Sequence, residues 1–416
     1  MRSEATMTMP RLRVVRPGEL SPAETRARAE RSARRVLSAL GISVAVLTVA
    51  GLVMVLSASS VTAFAQYGSS FTFFKRQALY ALIGLMVAAA TARVRYQVWQ
   101  RLCAPLLVVT AVLLLLVLHP TVGTVAGGSA RWIAVGSFSM QPSELAKFAV
   151  VLATAVILSK HMAHLDQPAR WGVPLLLVVG FFTALILVQP DLGTAMLVAI
   201  SVFLLLFVAG VRMRFLLTWA VLAFGAGAML IIHAGYRRTR FLSFLHPWAD
   251  PRNTGYQIVQ SLIALGSGHV FGVGLGASRQ KWSYVPNAHT DFIFSILGEE
   301  LGLIGEIVVL ALFATLLFAG IRIAMRCSDP FGRLLAAGIT AWLGVQALVN
   351  LGGATGVLPI TGVPLPFVSF GGSSLIVSLC GVGILFSIGR AELAAIRRGT
   401  ARTGRTVRAR PGPDRT

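Results

Sequence analysis

The sequence predicts an all-α polytopic membrane protein of about ten transmembrane helices, with both termini cytoplasmic and a large extracytoplasmic loop between spans 7 and 8. Three observations carry that prediction. Hydrophobic residues make up 56% of the 416 and charged residues only 12%, far from the balance of an ordinary soluble domain. Apolar runs recur at the ~20 residues needed to cross a ~30 Å hydrocarbon core. Between two of those runs lies a polar interruption, residues 234–292, in which ionisable and glycine residues crowd together.

The chain opens on an Arg-rich tail, 1–36, whose first 35 residues hold nine Arg against four Glu. It has no interleaved aromatics and no DNA-binding motif, so the formal net charge of +22 is not read as a nucleic-acid signal. It reads as a disordered cytoplasmic end lying on anionic lipid. It is too long and too acidic for a signal n-region, so the first apolar run is an uncleaved span. Spans are predicted at about 37–58, 76–93, 103–119, 143–161, 172–188, 193–210, 214–233, 293–324, 335–357 and 373–390. Backbone groups in hydrocarbon must bond internally and the alternation of barrel strands is missing, so the spans are helices.

Even parity puts both tails on one side. The short loops on that side carry Arg93, Arg95 and Arg101, then Lys160 and Arg170, then Arg212 and Arg214, then Arg322, Arg326 and Arg333. The positive-inside rule makes it the cytoplasmic side. The opposite side receives the 120–142 loop, the Gln189-Pro190-Asp191 turn, the 234–292 loop and the 358–372 segment. A second Arg-rich tail, 393–416, closes the chain, leaving 37–392 as the membrane domain. Cys103, Cys327 and Cys380 are scattered without metal-ligand spacing, and no disulfide is expected.

Candidate chemistry gathers on the extracytoplasmic side. Asp291 stands where the long loop re-enters the membrane, ahead of the apolar Phe292-Ile293-Phe294; desolvation there suits a proton acceptor, while an Asp before an apolar run also suits a helix N-cap. Glu299 and Glu300 lie deeper in the same span, where carboxylates are costly and are either functional or paired. Glu144 and Lys147 have the i,i+3 spacing of an intrahelical ion pair, just after the helix start at Pro142, and could equally wall a site. Arg131, Arg237, Arg238, Arg240, Arg252, Arg279 and Lys281 are cations on the side that disfavours them. They fit an anionic ligand or lipid headgroups. Two patterns are set aside. The run Gly272-Val273-Gly274-Leu275-Gly276-Ala277 follows no strand of a βαβ unit, and Ser278-Arg279-Gln280-Lys281 lacks the companion motifs of penicillin-interacting enzymes. Pro359 to Ser374 is apolar yet broken by prolines and Gly371-Gly372, which reads as a loop lining a cavity.

At these residues the chain resembles the SEDS family (shape, elongation, division and sporulation proteins, the FtsW/RodA/SpoVE group). The likeness covers roughly 40–392. It rests on Ala130-Arg131-Trp132-Ile133 leading to Gln141-Pro142-Ser143-Glu144-Leu145-Ala146-Lys147; on Gln189-Pro190-Asp191-Leu192-Gly193-Thr194; and on Gly255-Tyr256-Gln257 with Gln260-Ser261. It continues with His289-Thr290-Asp291-Phe292-Ile293-Phe294 and with Pro364-Leu365-Pro366-Phe367-Val368-Ser369 before Gly371-Gly372-Ser373-Ser374. The resemblance implies a ten-helix peptidoglycan glycosyltransferase that polymerises lipid II on the outer face of the bacterial cytoplasmic membrane. It implies as partners a class B penicillin-binding protein transpeptidase and other divisome membrane proteins. By motif, Asp291 would be the catalytic carboxylate and general base. Arg131, Glu144, Lys147, Arg238, Arg240, Gln257, Gln260, Lys281, His289, Thr290, Ser369 and Ser373 would bind substrate.

Within the family, Gly276-Ala277-Ser278-Arg279-Gln280-Lys281 is similar to the division members, which implies septal synthesis; an elongation role is the alternative. Asn287 departs from the Glu usual before the His-Thr-Asp motif. A pyrophosphate leaving group is compatible with Mg²⁺ or Mn²⁺, but no metal-ligand set is readable. A lipid II flippase or other transporter is the competing class. It would place polar residues near the midplane on broken helices, whereas most here sit at the outer rim. A non-catalytic divisome scaffold would leave Asp291 dispensable.

Overall fold

Each predicted apolar run is a helix, because a chain in hydrocarbon satisfies its N–H and C=O groups along its own axis. The structure, a computed structural model, describes residues 22–126, 129–136, 138–233, 235–282 and 288–408. It begins with α1 (Pro22–Tyr67), α2 (Thr72–Arg93), α3 (Val98–Leu116), α4 (Pro142–Lys160), α5 (Pro168–Val188), α6 (Leu192–Val208) and α7 (Met213–His233). The long loop holds the short α8 (Gly235–Leu245) and α9 (Tyr256–Ser267). The last three spans are α10 (Ile293–Arg326), α11 (Pro330–Ala354) and α12 (Gly372–Arg408). With α8 and α9 set aside, these match the ten predicted spans in order. Among the described residues nine helices are long and apolar enough to cross a bilayer, and α6 is apolar but shorter, at 17 residues. Proline opens α4, α5 and α11, where its missing N–H would have had no helical partner. Asp191 caps α6 by accepting from the Thr194 N–H at 3.1 Å.

The centre of the bundle is α4, α11 and α12, whose span windows are 83%, 78% and 83% buried, while α7 at 6% faces outward on nearly every side. The small side chains of α4, Ala146, Ala149, Ala153 and Ala155, are buried and let neighbouring helices approach. One feature escaped the sequence reading. The 120–142 loop is a three-stranded antiparallel sheet of β1 (Gly123–Ala126), β2 (Ser129–Val135) and β3 (Phe138–Met140), in that spatial order. Strands of four, seven and three residues are too short to leave a readable alternation.

The expected tail boundaries need correction. Residues 22–36 and 393–408, expected as disordered, are helical, while 1–21 and 409–416 lie outside the described residues. Ion pairs explain the extension: Glu30 of α1 meets Arg34 one turn on at 2.7 Å and Arg397 of α12 at 2.9 Å. Arg326, ending α10, donates to Ser32 of α1 at 2.7 Å. The start of α1 and the ends of α10 and α12 are therefore tied together at one end of the bundle.

At the other end α10 is interrupted. Gly302 has φ 66° and ψ −169°, a conformation essentially closed to residues with a Cβ. The break frees the carbonyls of Glu299 and Glu300 and the N–H groups of Leu303 and Ile304, and the long loop fills all four. Val273 and Gly274 N–H donate to Glu299 and Glu300 at 2.9 and 3.1 Å, while His269 and Val270 carbonyls accept from Leu303 and Ile304 at 2.9 and 3.2 Å. Gly272 and Gly302 lie so close that a Cβ on either would strike the other segment's backbone. The first segment of α10, from Ile293 to Glu300, is buried throughout. Gly302→Ala combines the forbidden dihedrals with that overlap and is expected to cost at least ~3 kcal/mol. A melting curve of the purified variant in detergent checks this as a marked drop in Tm.

Candidate functional site

Asp291 is the last residue before the N-cap of α10, a position held by Phe292, which makes no side-chain cap hydrogen bond. What holds Asp291 is its backbone segment. The carbonyls of three consecutive residues are each claimed by a donor from elsewhere: His289 O by the Phe370 N–H at 2.9 Å, Thr290 O by the Ser369 hydroxyl at 2.6 Å, and Asp291 O by the Asn350 amide at 2.9 Å. An unpaired buried carbonyl is costly, so the three bonds together fix where the segment lies. The His289 ring is wedged between Phe73 of α2 and Phe370, with centroids 4.8 and 5.7 Å away. Burial pushes its pKa down to about 4, so it stacks as a neutral aromatic ring.

The loop that supplies Ser369 and Phe370 is strained and braced. Phe367 has φ 66°, rare for a bulky side chain, and is buried. Gly51 of α1 lies against the Phe367 and Val368 backbone, where a Cβ would not fit. Gln77 of α2 donates to Ser369 O at 3.1 Å and accepts from Gly371 N–H at 3.3 Å. Ser369 also accepts from the Leu365 N–H at 2.9 Å. A small cleft of about 10 Å³ lies between Asp291, Asn350 and Ile360 to Val363. That is the room of roughly one water, so any larger group would meet the carboxylate only at the cleft's rim. Gly362, with φ 75°, keeps that rim free of a side chain beside Asp291.

Behind the cleft, Glu144 and Lys147 form a 2.8 Å ion pair and are almost wholly buried, at 2% and 1% exposure. Lys147 also donates to Gln346 Oε1 at 2.8 Å, which accepts from Trp342 Nε1 as well. With its oxygen so occupied, Gln346 turns its amide nitrogen to Pro364 O at 3.0 Å and Ser374 Oγ at 3.2 Å. One turn along α11, Asn350 donates to Val363 O at 2.8 Å in addition to Asp291 O. The pair thus supports the cavity loop from behind; removing one partner of so buried a pair typically costs ~3–5 kcal/mol.

The remaining expected residues divide. Arg131, on β2, donates to Gln189 O at 2.9 Å and Pro190 O at 2.6 Å, fastening the sheet to the turn before α6. Asp191 in that turn accepts from Gln141 and Ser143, each at 3.3 Å, and Ser373 Oγ accepts from the Gln141 N–H at 3.1 Å. Thr290 and Ser369 belong to the pinned segment itself. Gln257 and Gln260 are half-buried on α9, beside Ser261, which bonds Ser295 of α10 and Ala354 O. Arg238 is exposed on α8; the side chain of Arg240 and all of Asn287 lie outside the described residues. Lys281 is buried near Glu300, 3.8 Å away, and is bound to Gly276 O. Gln77, Gln346 and Asn350 were missed by the sequence reading. Their signal was present as amides inside apolar spans, two of them at i,i+4 on one face.

Among the described residues no group of three His, Cys, Asp or Glu side chains gathers that could hold a metal ion. The larger cavities lie away from Asp291. One of about 780 Å³ is bounded by α6, α10 and α11, another of about 250 Å³ by α5, α6 and α7, and both are lined mainly by apolar side chains that suit lipid chains.

These features define a multi-pass helical membrane protein with a carboxylate mounted on a braced loop at one end of the bundle. The chain belongs to the FtsW/RodA/SpoVE family, described as cell cycle proteins, whose model matches residues 38–393. It is 45% identical over 342 residues to a probable peptidoglycan glycosyltransferase FtsW of Geobacter metallireducens, covering 82% of this chain and 91% of that one. It is 43% identical to stage V sporulation protein E of Bacillus subtilis, covering 84% and 95%. Among solved structures it is similar to a chain described under structural coordination of polymerization and crosslinking by a peptidoglycan synthase complex. That match has TM-score 0.70 and 31% identity, over 85% of this chain and 97% of that one. It is also similar to the rod shape determining protein RodA of Thermus thermophilus, with TM-score 0.62 and 30% identity, over 85% and 96%.

Asn350→Leu keeps the branching and heavy-atom count of the side chain but removes the donor to the Asp291 and Val363 carbonyls. It is expected to lower stability by ~1–3 kcal/mol, seen as a lower Tm, and to lower activity more than Tm alone explains. The His289 ring gives a pH dependence. Its folded pKa of about 4 lies below the ordinary 6.5, so the unfolded chain binds the proton first and stability falls as pH drops from 6.5 to about 4. Tm measured across that window should fall less steeply in His289→Phe, by an amount on the order of 3 kcal/mol at most.

Proposed function

We propose that this protein is a peptidoglycan glycosyltransferase that polymerises lipid II into glycan strands at the outer face of the cytoplasmic membrane, in septal synthesis during cell division. The observation that carries the reading is the Asp291 carboxylate, mounted on a segment held at three consecutive carbonyls in a chain of this family. Such bracing suits a group that must meet a reacting atom in one geometry. Asp291 accepts the proton of an acceptor-sugar hydroxyl. That oxygen bonds to the anomeric carbon of the donor, the bond from that carbon to the pyrophosphate oxygen breaks, and the polyprenyl pyrophosphate leaves with the electron pair. Arg131, Arg238 and Arg240 are the cations proposed to meet the pyrophosphate, with guanidinium forks that match its oxygens. Gln257, Gln260, Thr290 and Ser373 are proposed contacts for the saccharide. Residues 37–392 are the catalytic domain, and the Arg-rich ends, 1–36 and 393–416, anchor at the cytoplasmic face.

The sidedness rests on the short basic loops at the end that holds α1 Glu30 and α12 Arg397. The names of the relatives and the Ser278-to-Lys281 pattern support the division role over elongation. The structural neighbour from a complex that polymerises and crosslinks supports a class B penicillin-binding protein as partner, with other divisome proteins around it. One feature favours a transporter, the broken helix α10. Its four freed backbone groups are bonded by the loop rather than left for an ion or substrate, which supports the enzyme.

Lipid II polymerisation by the purified protein, with and without the transpeptidase, tests the reading. Asp291→Ala is expected to lose ~10²–10⁴-fold in rate, the usual worth of a positioned base. Polymer yield unchanged by Asp291→Ala would sink the mechanism, and lipid transport without synthesis would favour the transporter.

A further inference from the structure

Glu299 and Glu300 are buried at 2% and 1% exposure, just ahead of the break in α10. The proton transfer assigned to Asp291 uses neither. Their surroundings give them another task. The Glu299 carboxylate accepts from the Ser278 hydroxyl, from the Arg279 N–H at 3.0 Å and from the Gln280 N–H at 3.4 Å. The Glu300 carboxylate accepts from the Ser57 hydroxyl of α1 at 2.6 Å and from the Ser278 N–H at 3.4 Å, with Lys281 Nζ at 3.8 Å. The main-chain carbonyls of the same two residues take the N–H groups of Val273 and Gly274. Two adjacent residues therefore bind the loop with both backbone and side chain, over nearly its whole course from 273 to 281.

We propose that Glu299 and Glu300 are positioning residues for Asp291: they clamp residues 269–281 into the break of α10, with Lys281 as the clamp's buried counter-charge rather than a contact to substrate. Residues 269–281 lead along the chain into the Asp291 segment, and the buried first segment of α10 leads out of it. The clamp joins these two flanks to each other and, through Ser57, to α1. Asp291 therefore lies within a closed span of chain whose two ends are fastened together. The Lys281 ammonium, bound to Gly276 O and beside Glu300, is 7% exposed, a poor position from which to reach a pyrophosphate.

The activity arm of the test rests on the glycosyltransferase reading; the structural arm does not. Arg279 is exposed and offers trypsin a site inside the clamped loop, where cleavage reports the open population. In the full-length protein in detergent, Glu299→Gln and Glu300→Gln are expected to raise the cleavage rate after Arg279 at least tenfold. Ser57→Ala, which removes one hydrogen bond and no charge, should raise it by a smaller factor and serves if the Glu variants do not assemble. With lipid II as substrate, all three lower kcat with KM little changed. Lys281→Met alone behaves like Glu300→Gln, and the double variant Lys281→Met/Glu300→Gln recovers part of what each loses, because neither charge is then left unpaired.

Cleavage rates unchanged in Glu299→Gln, Glu300→Gln and Ser57→Ala would overturn the clamp. So would a Lys281→Met variant whose KM for lipid II rises tenfold and is not restored by Glu300→Gln, which would make Lys281 a substrate contact. If no variant or wild type polymerises lipid II while the cleavage rates rise as expected, the clamp stands and the proposed function falls.

Discussion

Three hydrogen bonds to consecutive carbonyls, at His289, Thr290 and Asp291, are the constraint on which the rest of this structure depends. A run of turns at the rim of a membrane bundle has no helix or sheet to define it. Its carbonyls must find donors or stay unpaired away from water. Here the donors come from α11 and from the loop before α12, so the position of one short segment is set by parts of the chain far downstream. Those parts are in turn set by Gln77, Gln346 and the buried Glu144–Lys147 pair. Each element of the support exists because the next would otherwise leave a polar group unbonded.

The same logic explains why so apolar a chain keeps amides and charges inside its spans. In hydrocarbon, helices gain little from burying apolar surface against one another, and interhelical hydrogen bonds and close contacts give the specificity. Gln346 and Asn350 share a face of α11 and connect α4, the cavity loop and the Asp291 segment. Gly51, Gly272 and Gly302 mark points where backbone meets backbone, and none of the three admits a Cβ.

Much of this was legible in the sequence. The ten spans were readable because hydropathy over ~20 residues is a strong signal, and Asp291 stood out as a carboxylate at a membrane boundary. The pairing of Glu144 with Lys147 followed from spacing alone. What could not be read were relations between distant residues: that Glu299 and Glu300 would meet Ser278 and Lys281, or that Asn350 would meet Asp291 O. No local period encodes a contact between a helix and a distant stretch of irregular backbone. The helical starts and ends at 22–36 and 393–408 were hidden for a related reason. Arg-rich composition reads as disorder until a partner such as Glu30 is found across the bundle.

The contact between Ser57 and Glu300 spans 243 positions of the sequence, and Gly51 lies against Phe367 still later in the chain. At ~5–20 residues added per second during synthesis, α1 enters the bilayer roughly 10–50 s before the residue that will hold it exists. For that interval the first helix has α2 beside it but lacks its contacts to α10 and to the final loop, and Ser57 has no Glu300 to meet. The order of manufacture therefore runs opposite to the order of support: the segment bearing Asp291 is made before α11 and the final loop, and is finished only when the last helix closes the ring. A ribosome that stops short of the final loop and α12 leaves behind a chain with most of its spans inserted and its Asp291 segment unmounted.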